Sequence, residues 1–386
     1  MFDKSPAAAL DYHRSMLADG ERTGVLRRAI SATVKPGDKV LDLGCGTGIL
    51  ACFACLAGAK RVYAIESEPI IELAKSVCTV NGFAERIVFI NAPSTRVQLP
   101  EHVDVVVTET IGNMALEEGI LGWTLDARRR FLRPGGILIP RALTLFACPV
   151  ELPRAYASVS DWDDIYDGLD FTSARRLAAH NPAWLEIPTD ACLAEPPALG
   201  RIDLMTHEGE SFSARTCVTA TRSGVCHGLG VWFHTELTAT ESVTNAPPRS
   251  CPSWQNGFLP LELPLRVHAG DELALELDAE VNGSLWHWRL TPHAAPVIAD
   301  RPRVATPLQS TLAGRFLSMQ HLRKGAGGYV PRLRADGEAA AFILARMTGT
   351  STISAIADVA FQRFPELFKT SDDALALVRK LSRHYT

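Results

Sequence analysis

The chain has 386 residues, a formal charge of −4, and 47% hydrophobic against 21% charged residues. That length exceeds one ordinary core, so two or three domains follow, and the mildly acidic balance gives no electrostatic case for nucleic acid as the main partner. No apolar run approaches the roughly 20 residues of a membrane span, and the opening MFDKSPAAALDYHR lacks the apolar core and cleavage site of a signal peptide. A cytoplasmic protein without a membrane partner is the expectation. Nine cysteines are scattered along the chain. Cys52 and Cys55 form a CxxC with no second pair, inside an apolar helical stretch, which favours packing over metal binding; no metal site is expected. Arginine far outnumbers lysine, a bias of GC-rich bacterial genomes.

From residue 38 to 140, short apolar runs alternate with amphipathic helical stretches. KVLDL (39–43), RVYAIE (61–66), RIVFI (86–90), VDVVVTE (103–109) and GGILI (135–139) read as strands, with PIIELAKSVCTVNG and LGWTLDARRRFL as helices between them. This alternation predicts a parallel, doubly wound α/β sheet. Over 141–293 the runs become shorter and β-rich, broken by Pro, Gly and Asn, which predicts an antiparallel barrel or sandwich. WDDIYDGLDFTSARRLAAHNP interrupts it as a helical insertion. After a Pro- and Ala-rich connector, residues 310–386 read as a small helical domain, with Ser351 or Thr352 capping one helix and Ser371 the last.

The strongest motif is the stretch Asp42-Leu43-Gly44-Cys45-Gly46-Thr47-Gly48-Ile49-Leu50, which follows the first strand. Its glycines let the backbone approach a ligand, and the following helix N-terminus favours an anion. GxGxG alone is shared by many nucleotide folds, NAD sites included. Glu66, followed by Ser67, ends the second strand, where an acid accepts hydrogen bonds from ribose hydroxyls. At the end of the fourth strand, TETIGNMALEEG carries Glu109 and Glu118. Two carboxylates at a strand-end loop suit a planar guanidinium, which takes bidentate hydrogen bonds. A guanidinium with a pKa of about 12.5–13.8 has no available lone pair until its charge is redistributed. Glutamates gripping some nitrogens localise the charge there and free another for attack, after which either Glu, or water, takes the proton.

The wording LDLGCGTG, with its leading Asp42, resembles class I methyltransferases, and residues 12–293 resemble the protein arginine methyltransferases. In that family two glutamates stand nine positions apart, with Gly three after the first; Glu109, Gly112 and Glu118 repeat the spacing. TETIGNMAL is similar to the monomethylating branch, whereas Met16 is typical of the asymmetric dimethylators, and LRPGGILIP (132–140) matches the junction between sheet and barrel. The resemblance implies S-adenosylmethionine as cofactor, a Rossmann-like domain over 38–140, a β-barrel over 141–293, and a homodimer formed through an arm at about 160–186. It implies that residues 1–37 cover the cofactor, with His13 and Met16 at the site, Arg22 on the cofactor's carboxylate, and Met16 crowding the transfer point. Ser94 and Thr95 replace the adenine-side acid. Departures also count. The family's Thr-His-Trp barrel loop is Pro252-Ser253-Trp254 here, so Trp254 is kept at the substrate site while the histidine that meets the counterpart of Asp19 is lost; a missing interdomain link is expected. The aromatic segment before the covering helix is also largely absent, which implies a more open arginine pocket.

The C-terminal segment weakly resembles PqqD-like winged-helix modules that hold leader peptides. Residues 331–386 carry eight basic and six acidic side chains, poor support for DNA; an inert helical cap is the simpler reading. The function expected is arginine Nω-methylation, by monomethylation, of free L-arginine or of a peptide arginine in bacterial natural-product biosynthesis. A methyltransferase of another nucleophile, or a non-catalytic peptide-binding partner, is the alternative.

Overall fold

Two helices, α1 (Pro6–Ala18) and α2 (Gly20–Thr33), precede the first strand. Asp19 sits between them with extended backbone and accepts the Arg22 N–H at 3.1 Å, the hydrogen bond that starts α2. These are among residues 6–248, 251–293 and 306–385, which the computed structural model describes. Contacts divide the chain into two units, Met1–Arg315 and Phe316–Thr386.

The first unit continues with β1 (Lys39–Leu43), α3 (Ile49–Leu56), β2 (Arg61–Glu66), α4 (Ile71–Val80), β3 (Ile87–Asn91), β4 (Val103–Thr108), α5 (Ile120–Arg130) and β5 (Leu132–Ile139). All five strands are parallel, in the order β3-β2-β1-β4-β5. Helices on the faces explain why β1, β2 and β4 read as nearly unbroken apolar runs: their interior residues are buried on both sides. The strand order reverses between β1 and β4, and such a switch point opens a crevice at the strands' carboxyl ends.

There follow β6 (Ala142–Val150), α6 (Pro153–Ser160), β7 (Ile165–Tyr166), β8 (Leu169–Asp170), α7 (Thr172–Ala178), β9 (Ala183–Leu185), β10 (Ala198–Asp203), β11 (Phe212–Thr219), β12 (Gly224–Glu236), β13 (Ser242–Thr244), β14 (Asn256–Val267), β15 (Glu272–Glu280), β16 (Leu285–Pro292) and β17 (Gln309–Ser310). They form two antiparallel sheets, β10-β6-β12-β14-β9 with β13 beside β12, and β11-β15-β16-β17. Pro260 on β14 joins them, its carbonyl accepting from Trp288 Nε1 at 2.9 Å and Gln309 Nε2 at 3.0 Å. The insertion expected to be helical is only partly so. β7 and β8 form a hairpin that turns at Asp167 (φ 52) and Gly168 (φ 78), a dipeptide suited to the left-handed backbone of a two-residue turn.

The second unit contains α8 (Met319–Gly325), α9 (Ala335–Leu344), α10 (Ile353–Arg363) and α11 (Ser371–Tyr385). The last three share their own core of Ala339, Ile343, Ile356, Ala360, Phe368 and Val378. Thr352 caps α10, accepting the Ala355 N–H at 3.2 Å. The last helix is capped one residue earlier than expected. Thr370 Oγ1, not Ser371, accepts the Asp373 N–H at 3.2 Å, while Asp373 Oδ2 accepts the Thr370 N–H at 2.8 Å, a reciprocal pair. Among the described residues, no helix is long and apolar enough to cross a membrane.

Candidate active site

The ends of β1, β2 and β4, together with α1 and α2, enclose a cavity of about 360 Å³, within the ~300–1,000 Å³ usual for small-molecule sites. Its floor is the turn after β1. Gly44 (φ 74) and Gly46 (φ 50) adopt left-handed backbone, and a Cβ on Gly46 would stand 3.2 Å from His13 Cε1. The Gly44 and Cys45 N–H groups both donate to the Ile65 carbonyl, at 2.9 and 3.0 Å, locking this turn to β2. Glu66, one residue on, accepts the Gly46 N–H at 3.0 Å on Oε2 and the Glu68 N–H at 2.9 Å on Oε1.

The opposite wall is the loop between β4 and α5. Glu109 pairs with Arg22 of α2, both side chains almost wholly buried. Arg22 also donates to the Met16 carbonyl at 3.2 Å, and its guanidinium lies 5.2 Å from the Trp254 ring. Burial draws the Arg22 pKa down from its ordinary value, opposed by the field of Asp19. Trp254 is fixed by its indole N–H on the Ile111 carbonyl at 2.9 Å and by an edge contact with Phe233. Glu118 stands exposed on the cavity's other side, where the Tyr12 hydroxyl donates to its Oε1 at 3.4 Å. Burial and the Glu118 charge push the Tyr12 pKa up to about 12. The loop is pinned to the barrel through Asn113: its carbonyl accepts from Asn245 Nδ2 at 2.8 Å and its Oδ1 from the Gln255 N–H at 2.7 Å.

Of the residues singled out in the sequence, His13, Met16, Arg22, Gly44, Cys45, Gly46, Thr47, Ile49, Leu50, Glu66, Ser67, Ser94, Glu109, Glu118 and Trp254 line this cavity. Asp42, Gly48 and Thr95 do not. Asp42 is fully buried beneath the turn, its Oδ2 accepting the Ala51 N–H at 2.8 Å, and burial pushes its pKa to about 8. Gly48 begins α3 with φ 78, and a Cβ there would meet Ala74 and Cys78, on the α4 side. Thr95 is exposed on a single 3-10 turn whose buried member is Ser94. Cys52 and Cys55 are buried in α3, with Cys52 Sγ 3.4 Å from Cys78 Sγ.

The expected loss of the link at Asp19 is corrected. Ser253 replaces the histidine and makes the link itself: its N–H and hydroxyl both donate to Asp19 Oδ2, at 3.0 and 2.6 Å. A short side chain suffices because the backbone approaches closely enough to donate as well. The pocket is also less bare than the missing aromatic segment implied. Tyr12 and Trp123 both line it and both contact Glu118, the Trp123 indole N–H donating to the Glu118 carbonyl at 2.9 Å. Neither residue carried a signal beyond being aromatic and near the motifs.

Two family models match the chain: the arginine methyltransferase oligomerization subdomain over residues 141–287 and ribosomal protein L11 methyltransferase over 22–139. Probable protein arginine N-methyltransferase 6 of Arabidopsis thaliana is 30% identical over 340 residues, covering 83% of this chain and 78% of its own. Arginine N(omega)-methyltransferase of Streptomyces achromogenes subsp. streptozoticus is 32% identical over 273 residues, covering 69% of this chain and 75% of its own. The Trypanosoma brucei PRMT1 enzyme–prozyme heterotetrameric complex with AdoHcy superposes with a TM-score of 0.69 at 27% identity, covering 77% of this chain and 96% of that one. A parallel sheet with its crevice at the switch point, antiparallel sheets after it and relatives of this closeness lead to one assignment: the chain belongs to the protein arginine methyltransferase family and is an S-adenosylmethionine-dependent arginine N-methyltransferase.

Proposed function

We propose that this enzyme monomethylates the Nω nitrogen of arginine, with free L-arginine as the substrate and bacterial natural-product biosynthesis as the setting. One observation carries the guanidine chemistry: Glu109 and Glu118 line the same cavity as the glycine turn and Glu66. The name of the Streptomyces relative, an arginine Nω-methyltransferase, supports arginine itself as acceptor. The wording of the Glu109–Glu118 loop supports a single methyl addition.

The residues present fit the cofactor, since Gly44 and Gly46 leave backbone exposed to a ligand and Glu66 ends β2 where a ribose is held. When bound, S-adenosylmethionine supplies a sulfonium methyl already activated toward nitrogen. Glu66 would accept from the ribose hydroxyls, Arg22 would hold the amino-acid carboxylate, and Ser94 would face the adenine. His13 and Met16 of α1 would cover the site and exclude water. Glu109 and Glu118 would clamp the guanidinium, drawing its positive charge onto the gripped nitrogens and leaving the third nitrogen's lone pair for attack. Trp254 would stiffen the Arg22 side of the clamp. Glu118, the exposed acid, would take the released proton toward solvent. In this reading Asp42 and Gly48 support the turn from outside.

A homodimer through the arm is part of the same proposal. Trp162, Tyr166 and Phe171 form an exposed aromatic cluster there, with ring centroids 5.7–6.5 Å apart, beside Leu169 at 62% exposure. A second reading, a peptide arginine as acceptor, draws on the helical unit with its own core. The full-length enzyme with labelled cofactor, offered free arginine and an arginine-containing peptide, separates them by product mass. Methylarginine from the free amino acid supports the first reading; label in the peptide alone supports the second; label in neither overturns both.

A further inference from the structure

One carboxylate beside the clamp has no part in the chemistry above. Glu117 precedes Glu118, yet its side chain turns the other way, into the loop. Its Oε1 accepts the Met114 N–H at 2.8 Å, and its Oε2 is shut off from solvent with no hydrogen-bond partner among the described residues. The carboxyl occupies the space that Gly112 leaves: a Cβ at 112 would stand 2.2 Å from Glu117 Cδ. The Glu117–Met114 bond closes a tight turn in which Ala115 holds φ 71 and bridges back to Gly112. On the outer side the hairpin between β15 and β16 presses on the same turn, because a Cβ at Gly283 would overlap the Leu116 carbonyl.

We propose that Glu117 is a positioning residue of the methyl-transfer site, whose enclosed carboxyl braces the turn that presents Glu118 to the cavity and whose charge state sets how strongly that face attracts a cation. The proposal rests on the guanidinium reading of Glu118. An enclosed carboxyl with an oxygen left unpaired favours its neutral form, and burial first, then the Glu118 charge, pushes Glu117 up to about 7. The titratable groups whose fields reach it are Glu118 on the same loop and Tyr12 on α1; the hairpin contributes Asn282 and Gly283, which do not titrate. Below neutrality the face carries Glu118 alone, and above it a second negative charge lies behind Glu118. By reciprocity, a cationic head group binding at Glu118 expels the Glu117 proton.

The test compares the full-length wild type with Glu117→Gln and Glu117→Ala. The amide keeps an acceptor for the Met114 N–H but cannot ionise; alanine loses both. The wild-type KM for arginine is expected to fall roughly tenfold as pH rises from 6 to 8, the order of effect of one added charge near the cation at an effective dielectric of about 20. Glu117→Gln holds KM flat over that range, and Glu117→Ala loses at least about tenfold in kcat/KM with cofactor affinity unchanged. A Glu117→Gln enzyme that keeps the wild-type KM–pH curve overturns the proposal, as does a Glu117→Ala enzyme of wild-type kcat/KM. Should Glu117→Ala fail to bind cofactor, the amide variant decides. Melting curves between about pH 4.5 and 8 need no substrate: the wild type loses stability relative to Glu117→Gln as pH rises from 4.5 to about 7 and runs level with it above that, because over this window the unfolded chain gives up a proton that the enclosed carboxyl keeps. Parallel melting curves refute the brace even if arginine proves not to be the acceptor, and diverging curves with no methylation refute only the acceptor.

Discussion

Replacing Ser253 with alanine removes one side-chain hydrogen bond and tests whether this residue carries the link between the cofactor-side helices and the barrel. Asp19 is 1% exposed and its carboxylate accepts three hydrogen bonds, from the Arg22 N–H, the Ser253 N–H and the Ser253 hydroxyl. A hydrogen bond to a charged group contributes about 1.5–3 kcal/mol. The Ser253 N–H still donates in the variant, so Asp19 is not stranded and the loss belongs near the lower end, about 1.5–2 kcal/mol. Urea unfolding followed by tryptophan fluorescence measures it cleanly. All seven tryptophans lie before residue 316, so the signal reports only the unit that contains the link. Asp19→Ala should cost more, about 3–4 kcal/mol, since it also removes the cap of α2. A Ser253→Ala midpoint within about 0.5 kcal/mol of the wild type would refute the reasoning, and so would a loss as large as that of Asp19→Ala.

Other outcomes follow from the same structure. Asp42 is raised from 3.8 to about 8 by burial, so its folded form keeps a proton that the unfolded chain gives up. Stability therefore falls as pH rises across that window, and Asp42→Asn should flatten the melting temperature between those pH values; an unchanged slope would show that Asp42 is not the group responsible. Glu66→Ala should weaken S-adenosylmethionine roughly 10- to 100-fold by calorimetry, the loss of two ribose hydrogen bonds, and equal affinity would remove Glu66 from the cofactor site. Trp162→Asp combined with Phe171→Asp should convert a dimer to a monomer by light scattering, because two charges would be buried in the aromatic arm; a dimer that survives both changes points to another interface.

The sheet was legible because β1, β2 and β4 are buried on both faces and so read as apolar runs of the right length. Glu66 and Glu109 were legible for a related reason: once the strands are placed, an acid at the carboxyl end of one has a known destination. Glu117 was not, since a carboxylate beside Glu118 in an exposed loop looks like one more solvated acid. Only the space above Gly112 shows that it turns inward. The Ser253 link was not legible because side-chain identity alone signals a lost histidine, whereas the contact depends on how near the backbone comes to Asp19. Asp42 belonged to a motif that surrounds the ligand, and neighbours in a motif need not all face the cavity: alternation along β1 sends Leu43 to the lining and Asp42 beneath the turn. The hairpin in the arm did announce itself, through Asp167-Gly168, but the helical pattern of the flanking residues outweighed it.

Transfer of labelled methyl to arginine by Glu118→Gln bears most directly on the clamp, because Glu109 is the acid paired with the buried Arg22 whereas Glu118 stands exposed at the cavity. Loss of about 2.7 kcal/mol of charge-assisted hydrogen bonding to the guanidinium predicts a fall of about 100-fold in kcat/KM, with S-adenosylmethionine affinity within about threefold of the wild type. Wild-type transfer by that variant would mean that the guanidinium is held elsewhere.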